Sequence, residues 1–123
     1  LLFAEHDPRV AGCIAFAPET NVNADGTIQS VDNNGSMPGI YGFSQRSSPL
    51  SHLAQLKCPV FLFHARDDSV VPMKQIEEFV SQLKTFNNHV TFQPEDTGEH
   101  YDGMIQVGLG TAVEWLSTQG MSK

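Results

Sequence analysis

The chain has 123 residues, 40% hydrophobic and 17% charged, with a formal net charge of −7. That length and apolar content suit one compact domain covering residues 1–123. The acidic balance leaves no basic stripe to neutralise phosphates, which argues against a nucleic-acid partner, and no run approaches the roughly 18 apolar residues of a membrane span.

Leu1 to Glu5 reads as the last turns of a helix, broken by Asp7-Pro8-Arg9. No Met and no signal-peptide pattern precede it, so a fragment or processed product is expected and the compartment stays open. Val10 to Ala17 is a continuous apolar run ended by Pro18, the pattern of a parallel strand buried on both faces. Residues 19–47 lack clear periodicity and are rich in Asn, Gly and Ser, which predicts a long loop, a lid or binding insertion. Within it, Asn21, Asn23, Asp25 and Asp32 approximate the oxygen spacing of a calcium loop around Gly26. The same residues fit a hairpin turned at Asp25-Gly26, and both readings stay open.

Ser48-Pro49 resembles an N-cap followed by Pro at the first helical position, which predicts a short helix. Then comes Pro59-Val-Phe-Leu-Phe-His-Ala-Arg-Asp-Asp-Ser-Val-Val-Pro72. Its apolar half reads as a second buried strand, and at its end the chemistry changes abruptly to His64, Arg66, Asp67 and Asp68. The C-terminal end of a parallel strand is where open α/β sheets place functional groups. From Met73 to Phe86, apolar residues recur at helical spacing opposite a charged face, and Asn87-Asn88 stops the pattern. Val90 to Gln93 is a short strand, Pro94 to Asp102 a polar loop, and Met104 to Leu116 a final helix weakened at Gly108 and Gly110. Strands separated by helices imply a parallel sheet. Cys13 and Cys58 both fall in apolar runs and read as reduced core thiols. No pair of His has metal-ligand spacing, so neither a metal nor a cofactor is expected; His6, His52 and His89 read as surface residues and His64 as a strand-end hydrogen-bonding group.

His64-Ala-Arg-Asp-Asp68-Ser-Val-Val-Pro72 resembles the HG-x-x-D-x-x-V-P segment of α/β-hydrolases, in the branch of dienelactone hydrolases and prolyl-oligopeptidase-like peptidases and esterases. The Asp-Pro-Arg-Val segment with its following strand, and Ser-Pro before the central strand, are also similar to that family, so the likeness runs from about Asp7 to Trp115. It implies a three-layer αβα arrangement with a parallel sheet, the last three strands and helices of the fold. It also implies that Asp68 is the acid and His100, in the loop after the next strand, the base of a Ser-His-Asp triad. Ala65 and Glu99 stand where the family usually has Gly. No G-x-S-x-G elbow occurs in these residues, so the resemblance puts the nucleophile and the oxyanion hole upstream of Leu1.

Two functions follow. In the first, the chain contributes Asp68 and His100 to hydrolysis of an ester or amide, with a small-molecule or peptide acyl substrate and a missing N-terminal half. In the second, it is a non-catalytic α/β module that self-associates, or pairs with a partner, through the open edge of its sheet.

Overall fold

The computed structural model describes residues 1–120. Three strands, β1 (Cys13–Phe16), β2 (Val60–Ala65) and β3 (Val90–Glu95), form one parallel sheet in the order β1-β2-β3. The central strand is buried at every position, as its unbroken apolar run predicts. Alternate residues of the sheet face two cores. Cys13, Val60 and Leu62 meet α4 (Met73–Leu83) through Ile76, Phe79, Val80 and Leu83 on one face. Phe61 and Phe63 meet Ala112 and Trp115 of α5 (Leu109–Thr118) on the other. The result is the αβα layering expected from the resemblance.

β1 differs from its prediction: only Cys13 is buried and Ile14 to Phe16 are half-exposed. Its outer edge has no further strand among the described residues, so an apolar run suited to a sheet interior lies at a border. β3 runs two residues further than expected, through Pro94, which an edge strand tolerates because its missing N–H can face away from the ladder.

The long loop expected at 19–47 contains two short helices, α2 (Thr27–Asn33) and α3 (Ile40–Arg46). Each spans seven residues, too short for a periodic stripe to stand out. Gly26 and Gly39 precede them in left-handed conformation (φ +76° and +83°), a shape that glycine adopts without steric cost. Asp25 therefore starts a helix rather than a hairpin: its carboxylate accepts the Thr27 N–H at 2.9 Å. The oxygens a calcium loop would need serve backbone N–H groups. Asn21 accepts from Asn23, Asn23 from Gln29, and Asp32 from both Gly39 and Tyr41. Ser48 does not cap the 3₁₀ segment Pro49–Gln55; its hydroxyl donates to the Ser44 carbonyl and accepts from the Val22 N–H. α1 (Leu2–His6) covers the residues read as helical from the sequence. The Glu5 carboxylate within it is buried with no hydrogen-bond partner among the described residues, and burial pushes its pKa up.

The final helix opens with one wide π turn, Met104–Gly108, before α5. A Cβ at Gly108 would lie 3.0 Å from the Phe63 ring and 3.1 Å from Phe16, so glycine lets this turn sit directly on the sheet.

Candidate active site

β2 and β3 are parallel neighbours, so the turn after Ala65 and the loop after Glu95 leave the same edge of the sheet. That shared edge brings Asp68 and His100 together. The Asp68 Oδ2 accepts a hydrogen bond from His100 Nδ1 at 2.9 Å. The Asp68 side chain is fully buried, while the His100 ring keeps 20% exposure, enough to reach a reactant.

The turn-forming role open to any loop aspartate is also present. Asp68 Oδ1 accepts the N–H groups of Val70 and Val71 at 2.8 and 2.9 Å. One carboxylate thus holds the turn with one oxygen and meets the histidine with the other. Burial alone would raise its pKa; the N–H bonds from Val71 and Val70 and the His100 contact outweigh it and hold the group below its ordinary range. An ionised carboxylate only accepts, so the shared proton belongs to His100 Nδ1, and in the neutral ring Nε2 carries the free lone pair. That is the tautomer a general base needs.

His64 lies beneath this pair. Its Nε2 donates to the Val71 carbonyl at 2.8 Å and sits 3.6 Å from Asp68 Oδ2, while its buried Nδ1 has no hydrogen-bond partner among the described residues. It supports the turn, as a strand-end hydrogen-bonding residue would. His6 and His52 stack edge to face at 4.8 Å away from the site, and His89 is exposed.

Three features of the loop were not read from the sequence. Asp67 turns outward and accepts the N–H groups of Gly98 (3.2 Å) and Glu99 (2.8 Å). The Ser69 hydroxyl donates to the Glu99 carboxylate at 2.9 Å. Gly98, at φ +137°, lies so close to Gly103 that a Cβ would fall 2.4 Å from the Gly103 Cα. Residue type marked Asp67 as one of the polar groups at the strand end and the glycines as turn formers, but not which groups they meet; nothing marked Ser69. Glu99, where the family usually has Gly, takes φ +49°, so the departure in residue type keeps the left-handed backbone that favours glycine.

Beside the pair is a shallow cleft of about 240 Å³ lined by Ser69, Val70, Glu99, His100, Tyr101 and Asp102. The Tyr101 ring stands edge-on to His100 at 4.7 Å. Among the described residues, no hydrogen bond joins His100 to a serine or cysteine. Cys13 and Cys58 are free thiols outside this cleft, and burial, then proximity to Cys13, raises the Cys58 pKa.

No protein-family model matches this sequence, and no curated protein matches it by sequence. Solved structures do match. An esterase of Pyrococcus furiosus superposes with a TM-score of 0.67 at 20% identity, over 94% of this chain and 46% of that one. An acylaminoacyl peptidase of Pyrococcus horikoshii gives 0.71 at 17% identity, over 93% of this chain and 21% of that one. A butyrate-bound esterase of Thermogutta terrifontis gives 0.68 at 20% identity, over 90% of this chain and 44% of that one. The fold is that of the α/β-hydrolases, and this chain carries part of it. It spans less than half the length of these three proteins.

Proposed function

We propose that residues 1–123 contribute the acid and base of a serine-hydrolase-type acyl hydrolase, with Asp68 as acid, His100 as base, and the serine and oxyanion hole outside these residues. The observation that carries this reading is the 2.9 Å bond from His100 Nδ1 to a buried, ionised Asp68 at the ends of two adjacent parallel strands. That the matched structures are esterases and a peptidase supports it.

In this scheme His100 Nε2 takes the serine hydroxyl proton as its oxygen bonds to the ester or amide carbonyl carbon. Asp68 stabilises the imidazolium that results. The imidazolium then gives that proton to the departing alcohol or amine as the acyl–oxygen or acyl–nitrogen bond breaks. Water attacks the acyl-enzyme by the same proton route, releasing the acid and restoring the serine.

The test is turnover of a short-chain p-nitrophenyl ester by the protein that contains these residues. His100→Ala and Asp68→Asn should each reduce kcat/KM by about 10³-fold or more. A loss below tenfold in either overturns the reading. Residues 1–123 alone should show no turnover above background, and a fluorophosphonate probe should label a serine outside them.

The second reading, a non-catalytic module, draws on one observation: the open outer edge of β1. An edge that pairs with a second copy would give residues 1–123 a concentration-dependent mass in light scattering; a stable folded monomer would count against it.

A further inference from the structure

We propose that Asp67 is a positioning residue that sets the His100 ring against Asp68 by gripping the backbone of the histidine loop. This rests on the reading of Asp68 and His100 as acid and base. Adjacent aspartates in the turn after β2 do different work. Asp68 points inward to the ring; Asp67 points outward and receives Gly98 N–H on Oδ2 and Glu99 N–H on Oδ1.

Two consecutive N–H groups aimed at one anion form a concave nest, and a residue in left-handed conformation is what turns them to the same side. Glu99 has that conformation, at φ +49°, and it immediately precedes His100. The carboxylate therefore offsets an unfavourable backbone shape at the residue that aims the histidine. Ser69 adds a bond to the Glu99 side chain. Residues 67, 68 and 69 thus hold residues 98, 99 and 100 through four hydrogen bonds.

Without Asp67, water can satisfy the two N–H groups, because the site is exposed, so the fold survives. What is lost is a fixed direction for the loop. The base must lie within hydrogen-bond reach of both the acid and the nucleophile, and a displacement near 1 Å costs about 100-fold in rate.

The experiment compares Asp67→Ala and Asp67→Asn with the parent in the complete protein. Asp67→Ala should lower kcat by about 10- to 100-fold with KM changed less than about threefold. The low-field Nδ1–H proton resonance of His100 should broaden or disappear, while far-UV circular dichroism is unchanged. Asp67→Asn keeps one acceptor for the Glu99 N–H and should recover part of both signals. If Asp67→Ala loses its fold, the comparison is made on Asp67→Asn, whose kcat and His100 resonance should still fall between the parent and loss. A kcat within twofold of the parent, with the His100 resonance intact, overturns the role of Asp67. Full turnover in His100→Ala is a different result: it overturns the assignment of the pair itself.

Discussion

Replacing Glu99 by glycine and by alanine separates backbone strain from side-chain contact at the residue before the histidine. At φ +49° the Glu99 Cβ crowds the following carbonyl, at about 1–2 kcal/mol. Its carboxylate recovers some of that through the exposed Ser69 bond, worth about 0.5 kcal/mol. Alanine keeps the Cβ and its strain and loses the bond, for a net loss of about 0.5 kcal/mol. Glycine also loses the bond but removes the strain, and gives back about 0.5–1 kcal/mol in chain entropy. Glycine should therefore match or slightly exceed the parent and stand about 0.5–1 kcal/mol above alanine, the reverse of the order found at ordinary helix or strand positions.

Urea denaturation of the two variants reads this difference directly, and thermal melts should separate them by a few degrees. Neither substitution touches the N–H groups held by Asp67, so turnover should stay within about threefold of the parent in Glu99→Gly. An alanine variant as stable as the glycine variant would refute the left-handed assignment, and with it the account of why a hydrolase-like loop can carry Glu where Gly is usual.

Two further outcomes are expected. Asn87→Ala should destabilise by about 3 kcal/mol in urea denaturation, because its buried amide donates to the Leu56 and Cys58 carbonyls and accepts the His89 N–H; a cost under about 0.5 kcal/mol would mean that water replaces all three bonds. Asp68 has a folded-state pKa below its ordinary 3.8, so the stability it contributes is fully present above that value and is lost as pH falls through the folded-state pKa. Acid titration of stability should accordingly be less steep in Asp68→Asn below about pH 4, and parallel curves would contradict the ionised, hydrogen-bonded carboxylate.

The strands and the amphipathic helix were legible because each is governed by burial, which leaves a periodic or continuous apolar signature. β2 follows its pattern closely, and α4 buries the expected Ile76, Phe79, Val80 and Leu83 but ends at Leu83, so Phe86, expected on the same stripe, lies beyond it and is exposed. The stretch from 19 to 47 was not legible, because α2 and α3 are held by Asp25, Asp32, Gly26 and Gly39 rather than by apolar stripes. The same residue types write turns, caps, hairpins and calcium loops, and only the backbone that they meet decides among them. β1 misled in another way: its composition suits a sheet interior, and composition cannot say which neighbour is present.

The site divides along the same line. Asp68 and His100 could be paired from the motif and the strand order, since parallel neighbours deliver their loops to one edge. The restraint on that pair could not, because it is written in backbone groups: the N–H of residues 98 and 99 on Asp67, and the close approach of Gly98 to Gly103. Side-chain chemistry names the acid and the base proposed for the pair, but a general base works only if its nitrogen is held to a fraction of an ångström. A lone Asp–His pair on a loop would be free to turn away. Here the exposed face of the turn holds the loop while its buried face holds the ring, so the direction of His100 is set from both sides of the backbone that carries it.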